Sequence, residues 1–213
     1  MTERPAQPRP ELMPLPDGVA SGRVDVRRYR PGDGSAFFAA LTPQREELMQ
    51  WMMWPQKHQR PEDSESYVVR MHAEFSLRSN MPMGIWSNAG EFLGGSGFHA
   101  PDWNTPKAEI GYFLLPAARR QGLASEVVRL LIQFAFEQMQ VNRVFGTCDA
   151  GNAASANVMR RAGLAEEGLM RAEARDHHGR LRDTLMFGLA IAGYPAWVER
   201  HGTRDLAYLH RTS

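Results

Sequence analysis

Ala108-Glu109-Ile110-Gly111-Tyr112-Phe113-Leu114-Leu115-Pro116-Ala117-Ala118-Arg119-Arg120-Gln121-Gly122-Leu123-Ala124-Ser125-Glu126 is the stretch that decides the fold. Its first part, from Lys107 to Leu115, is rich in β-formers and reads as a strand that Pro116 ends. Its last part opens a helix running from Gly122 to Met139. Val127, Leu131, Phe134, Ala135 and Met139 recur there at helical spacing. The first turn of a helix exposes backbone N–H groups without partners and carries partial positive charge, so a strand–loop–helix of this form is an anion site. Gly122 lets the backbone approach the anion, Ala124 keeps the turn open, and Arg119 and Arg120 add charge suited to a diphosphate. The competing reading is an ordinary helix start. A Walker loop and a dinucleotide fingerprint are both absent.

Outward from this stretch the chain alternates strands and helices. On the N-terminal side, strands are expected at Arg23–Tyr29, Met83–Trp86 and Phe92–Phe98, and helices at Ser35–Leu41 and Pro61–Arg78. Pro61 and the acidic Glu62, Asp63 and Glu65 suit the start of the second helix. On the C-terminal side come a strand at Arg143–Asp149, a helix at Ala153–Ala162 stopped by Gly163, and strands at Ala165–Arg175 and Leu181–Ile191 around a His177-His178-Gly179 turn. This order predicts a mixed α/β (α+β) domain with several hairpins and at least one parallel crossover. Residues 1–22, with Pro5, Pro8, Pro10, Pro14 and Pro16, read as a flexible tail, and residues 193–213 as an irregular or helical cap. The domain proper is expected to span residues 23–192.

Composition narrows the function classes. The chain has 213 residues, 43% hydrophobic and 23% charged, which suits a soluble globular domain with a real core. Net charge is +1 with both signs interspersed, so neither a nucleic-acid patch nor a polybasic membrane patch is present. The longest apolar run, near Leu130–Phe136, is too short to span a bilayer. One cysteine, Cys148, excludes an internal disulfide and a cysteine-based metal site, and a reducing cytoplasmic setting fits.

At the central stretch the sequence resembles a family. Ala108-Glu109-Ile110-Gly111-Tyr112, then Arg119-x-x-Gly122-x-Ala124-Ser125-Glu126, is similar to the acyl-CoA motif of the GNAT superfamily. Asn142-Arg143-Val144, Asn152-x-x-Ser155-Ala156, Arg161-Ala162-Gly163-Leu164, Glu167-Gly168 and Gly179-x-x-x-Asp183 follow in the order of its RimJ/RimL branch. Gly22-Arg23-Val24-x-x-Arg27 and the Trp51–Trp54 region fit the N-terminal half, so the resemblance covers about residues 22 to 191. It implies a GNAT fold: a twisted, mostly antiparallel sheet flanked by helices, with a splayed parallel pair forming the acyl-CoA cleft. It implies an N-acyltransferase that moves an acetyl group from acetyl-CoA to a primary amine, a protein N-terminus or a small molecule, by direct attack, without a metal. The pyrophosphate would sit on the amides of Arg120, Gln121, Gly122, Leu123, Ala124 and Ser125, beside Arg119. The pantetheine arm would run along Gly111–Leu115, with the N–H groups of Phe113 and Leu115 polarising the thioester and Leu114 between them. Asn152 and Ser155 would line the cofactor from the following helix. The resemblance leaves room for a homodimer, and no seam is legible. A noncatalytic acyl-CoA-binding regulator of the same fold, or a binder of another phosphate ligand, are the competing classes.

Two residues are candidates for the chemistry. An α-amine of pKa about 8 is roughly one-tenth neutral at pH 7, while a lysine is about one part in two thousand neutral, so a base matters more for lysine. Glu109 shares a strand face with Gly111 and Phe113 and is a candidate base; the alternative is a structural hydrogen-bond partner. Ser155 is a candidate proton donor to the leaving thiolate; the alternative is a helix-start residue behind an Asn152 cap. Some RimL-like enzymes carry a glutamate base where this sequence has Ala174, with Glu173 beside it, and a one-residue slip on a strand points to the opposite face. His99 is a further candidate base. Trp51, Trp54, Trp86 and Trp103 are candidate acceptor-pocket residues, and Cys148 reads as a buried small residue rather than a nucleophile.

Overall fold

The computed structural model describes residues 9–176 and 178–210. Nine strands form one sheet. They are β1 (Gly18–Ala20), β2 (Val24–Arg28), β3 (Met81–Ser87), β4 (Phe92–Asp102), β5 (Lys107–Leu114), β6 (Arg143–Asp149), β7 (Ala165–Arg175), β8 (Leu181–Ala190) and β9 (Ala207–Leu209). Their order is β7-β8-β6-β5-β4-β3-β2-β1-β9, and every neighbouring pair is antiparallel except β5 with β6. The helices are α1 (Gly34–Leu41), α2 (Arg45–Met49), α3 (Pro61–Leu77), α4 (Leu123–Glu137), α5 (Ala153–Arg161) and α6 (Tyr194–His201).

Alternation along the strands divides the core between the two faces of the sheet. On one face Ala108, Ile110 and Leu114 of β5 pack with Val127, Leu131 and Phe134 of α4 and Ala156 and Met159 of α5. On the other, Tyr29, Phe37, Val68, Met71, Trp86 and Phe92 form a second cluster with α1 and α3, and Phe113 leans against it. α3 begins as its sequence suggests. Pro61 occupies the first turn, and the Asp63 carboxylate accepts the Arg60 N–H at 2.9 Å and the Gln59 N–H at 3.1 Å.

α4 is buried over most of its circumference, beyond the stripe its periodicity marks. The C-terminal segment covers its outer side. The Phe136 and Tyr194 rings lie 4.5 Å apart, Trp197 is 1% exposed and donates to the Ala162 carbonyl at 2.8 Å, and the Tyr208 hydroxyl donates to Glu137.

The reading of residues 1–22 as a flexible tail needs correction for its described part. Gly18–Ala20 is a strand, buried throughout, paired with β2 on one side and with β9 on the other. Asp17 reinforces it: its N–H donates to the Leu209 carbonyl at 2.6 Å, and its carboxylate pairs with the buried Arg28. Three residues cannot hold a strand through local propensity. They do so here because the two ends of the chain, distant in sequence, complete each other's hydrogen bonds. Residues 1–8 of the expected tail lie outside the described residues, as does His177 of the expected hairpin turn.

Candidate functional site

The site begins where two strands part. β5 and β6 run parallel and pair through Lys107–Arg143, Ala108–Val144 and Glu109–Phe145, and there the pairing ends. Beyond that point β5 stays bound to β4 as far as Gly94–Leu114, and β6 stays bound to β8 through Asp149–Thr184. Each strand is held by its outer neighbour while the inner edges separate. The result is a fork that exposes backbone N–H and C=O groups inside the sheet. A cavity of about 610 Å³ occupies it.

α4 closes one end of the fork. Gly122 stands just before it at φ +77°, a left-handed conformation that costs a residue with a Cβ about 1 kcal/mol or more. No atom lies within 4 Å of where a Cβ would stand. The first helical bond runs from the Glu126 N–H to the Gly122 carbonyl, and no side chain caps the helix. Among the described residues the amides of Leu123, Ala124 and Ser125 meet no acceptor, and all three residues line the cavity with Gly122 and Arg120. These are the donors an anion needs.

The neighbouring side chains brace the loop. Arg119 donates from Nε to the Leu114 carbonyl at 2.9 Å and forms an ion pair with Glu47 of α2, so its charge is already engaged. Gln121 does not line the cavity; its amide donates to the Ala117 carbonyl. Its own carbonyl accepts from Arg23 at 2.8 Å, and Arg23 also pairs at 3.1 Å with the buried Glu126. β2 therefore sets the position of a loop nearly one hundred residues away.

The backbone reading of β5 also needs correction. The Leu115 N–H donates to the Leu93 carbonyl at 2.9 Å, so it faces β4 and not the fork. In a regular antiparallel ladder residues two apart send their N–H groups the same way, and the register is unbroken from Gly94–Leu114 to Gly97–Gly111. Phe113 therefore also faces β4. Tyr112 and Leu114 are the residues whose N–H groups face the fork. Leu115 itself packs in the α1–α3 cluster.

α5 supplies the other wall. The Asn152 side chain accepts the Ser155 N–H at 3.0 Å, which caps the helix and places Ser155 in its first turn facing the cavity. The Ser155 hydroxyl lies 3.0 Å from the phenol oxygen of Tyr112, and that phenol also donates to the Ser155 carbonyl at 3.2 Å. Cys148 of β6 stands beside them and is hydrogen-bonded to the Ser155 side chain. Burial raises the Tyr112 phenol well above its usual acidity range and raises the Cys148 thiol as well. Both therefore hold their protons at neutral pH. Tyr112 is a site residue that the sequence reading passed over. The usable signal was parity: Tyr112 lies on the β5 face opposite Glu109, the face that a helix after β6 must cover.

Glu109 stands at the root of the fork, on the α1–α3 face. Its Oε1 accepts the Thr147 hydroxyl at 2.7 Å across the gap. His99 is its direct cross-strand partner, and the His99 Nε2 lies 2.1 Å from where a Cβ on Gly111 would stand. Glycine at 111 is what lets the imidazole lie flat beside the carboxylate. Ala174 and Glu173 do not line the cavity, and β7 is exposed along nearly its whole length. The remaining wall comes from the segment that was hardest to assign by sequence. Glu47, Leu48, Trp51 and Met52 line the cavity, and the half-exposed Trp51 ring sits 5.9 Å below the Arg182 guanidinium, which pairs with Asp149 at 2.8 Å. Trp54 packs on Phe113, whereas Trp86 is in the core and Trp103 donates to the Arg78 carbonyl, away from the site. Among the described residues no group of three or more His, Cys, Asp or Glu side chains is placed to hold a metal ion, and no helix is long and apolar enough to cross a membrane.

Comparison with known proteins decides the family. Residues 23–165, about two thirds of the chain, match the model of the acetyltransferase (GNAT) domain. The chain belongs to the GNAT acetyltransferase family. As a GNAT chain it is an acetyl-CoA-dependent acetyltransferase of RimJ/RimL-like type. It is 34% identical over 129 residues to an uncharacterized N-acetyltransferase, p20, of Bacillus licheniformis, covering 60% of this chain and 72% of that protein. Its fold is similar to Mycobacterium smegmatis RimJ, solved with CoA-disulfide, at a TM-score of 0.78 and 22% identity over 91% of this chain and 97% of the other. It is also similar to RimL, a ribosomal L7/L12 α-N-protein acetyltransferase solved with coenzyme A, at a TM-score of 0.75 and 23% identity over 80% and 96% of the two chains.

Proposed function

We propose that this GNAT enzyme transfers the acetyl group of acetyl-CoA to a primary amine, a protein N-terminal α-amine or a small-molecule amine, by direct attack in a ternary complex. The observation that carries the reading is the fork itself. It places the uncapped start of α4, a strip of open β5 backbone, and two opposed groups, Glu109 and Ser155, around one cavity. The amides of Leu123, Ala124 and Ser125 would hold the pyrophosphate, with Arg120 adding charge at the rim and Asn152 lining the α5 wall. The N–H groups of Tyr112 and Leu114 are free to take the amide and thioester carbonyls of the extended arm, as an added strand would. Acetyl-CoA, once bound, supplies an activated thioester carbon.

The chain's own residues then divide the proton work. Glu109 takes a proton from the attacking amine, and the Thr147 hydroxyl holds its carboxylate toward the fork. An N–H facing the fork stabilises the carbonyl oxygen as it becomes negative. Ser155 gives a proton to the departing sulfur. A thiol-release screen of acetyl-CoA and succinyl-CoA against N-terminal peptides, polyamines, amino acids and aminoglycosides tests the reading. Turnover with one amine class and acetyl-CoA is the expected result. Tight CoA binding with no thiol release for any amine would make the protein a noncatalytic binder.

A further inference from the structure

Tyr112 occupies a place that packing alone does not explain. It sits on β5 with its ring against the α4–α5 core, yet its oxygen reaches out of that core into the cavity wall. Its phenol has one proton and two acceptors within reach, both on Ser155: the hydroxyl oxygen at 3.0 Å and the carbonyl at 3.2 Å. Ser155 likewise has one proton. When Tyr112 donates to the serine oxygen, the serine proton must point elsewhere. The side chain nearest to take it is a sulfur, Cys148, already hydrogen-bonded to Ser155 on the cavity side. The structure thus shows a buried donor, a hydroxyl and a sulfur acceptor in sequence, ending in the space where a second sulfur would arrive.

We propose that Tyr112 is the positioning residue for leaving-group protonation: its hydroxyl fixes the Ser155 oxygen so that the serine proton is presented to the departing sulfur. This deepens the reading of Ser155 as proton donor and rests on it. The step balances as follows. The carbon–sulfur bond of the tetrahedral adduct breaks and its electron pair stays on sulfur. The Ser155 proton forms the new S–H bond. The Tyr112 O–H steadies the serine oxygen while it is short of a proton, and the proton lost by the attacking nitrogen restores it through solvent. Tyr112 does not itself ionise. Burial holds its proton in place, so its part is orientation and hydrogen bonding.

Tyr112→Phe keeps the ring and removes only the oxygen. The single-turnover rate with acetyl-CoA should fall about tenfold, the size of one lost hydrogen bond of roughly 1.4 kcal/mol, while CoA affinity by calorimetry stays within about twofold. In a Ser155→Ala background the same change should cost less than about twofold, because the partner is already gone. The solvent deuterium isotope effect should fall in either single variant. Equal slowing of the wild type and of Ser155→Ala by Tyr112→Phe would overturn the proposal, as would weaker CoA binding at an unchanged single-turnover rate. The underlying reading fails by a different sign, full activity in Ser155→Ala alone. Should the Phe variant not fold, 3-fluorotyrosine at position 112 keeps the packing and strengthens the donor. An unchanged single-turnover rate there overturns the proposal equally.

Discussion

The two walls of the fork are built from different materials. The donor wall is backbone: the amides of Leu123–Ser125, the open edge of β5, and an α5 start fixed by Asn152. The acceptor wall is side chain: Glu47, Trp51 and Met52 from the loop around α2, Arg182 stacked on Trp51, and Glu109 with His99 on the α1–α3 face. Backbone donors recognise phosphate and amide groups, which one donor molecule always carries. Side chains on a loop recognise whatever their identities select. The comparison teaches that one half of this enzyme is constrained by a shared ligand while the other is free to set the acceptor.

The largest expected effect breaks the donor wall. Gly122→Val forces a β-branched residue into a left-handed conformation and fills the approach to the amides. There is room in the protein for the added atoms, so the variant should fold. CoA affinity measured by calorimetry should fall about a hundredfold or more, the sum of roughly 2 kcal/mol of strain and the lost contacts. Unchanged affinity would remove the phosphate from the start of α4. Next in size is Ser155→Ala, expected to slow single turnover by about a hundredfold with little change in CoA affinity. Equal losses in both would make Ser155 a binding residue.

Glu109→Gln probes the boundary between the walls. It keeps the shape and the Thr147 hydrogen bond but removes basicity. The acidic limb of the single-turnover rate–pH profile should shift or vanish, and the rate should recover as pH rises and more amine is already neutral. The defect near pH 7 should be about tenfold for an α-amine and larger for a lysine-like amine, whose neutral fraction is about two orders of magnitude smaller. A profile parallel to wild type for both acceptors would make Glu109 structural and move attention to His99. The smallest effect sharpens the acceptor side. Trp51→Ala should raise the acceptor KM severalfold and leave CoA affinity unchanged. A drop in CoA affinity instead would show that the two walls are not separate.

Much of the donor wall was legible in the sequence, because backbone sites are announced by local patterns. Pro116, Gly122 and the α4 stripe mark a strand end, a left-handed turn and a helix start within one short stretch. The Asn152–Ser155 cap is likewise a local spacing. Three features were not legible. The N–H direction of Phe113 and Leu115 depends on which neighbour β5 pairs with, and a one-residue change of register reverses it. The engagement of Arg119 by Glu47 joins residues 72 positions apart. The contact of Tyr112 with Ser155 needs α5 to lie against the opposite face of β5 from Glu109, which follows from the course of the crossover after β6.

The sequence by itself determined the family, the order of strands and helices, the helix start that offers amides to an anion, and the cap that places Ser155. These depend on residues close together in the chain, where periodicity, proline and glycine act directly on backbone conformation. Only the tertiary structure decided that the chain termini meet as β1 and β9, that Arg23 positions the phosphate loop from β2, and that β5 and β6 part at Glu109. Each of these is a balance between hydrogen-bonding partners distant in sequence. β5 and β6 separate because β4 and β8 hold them along their outer edges, and no local pattern in either strand records that competition.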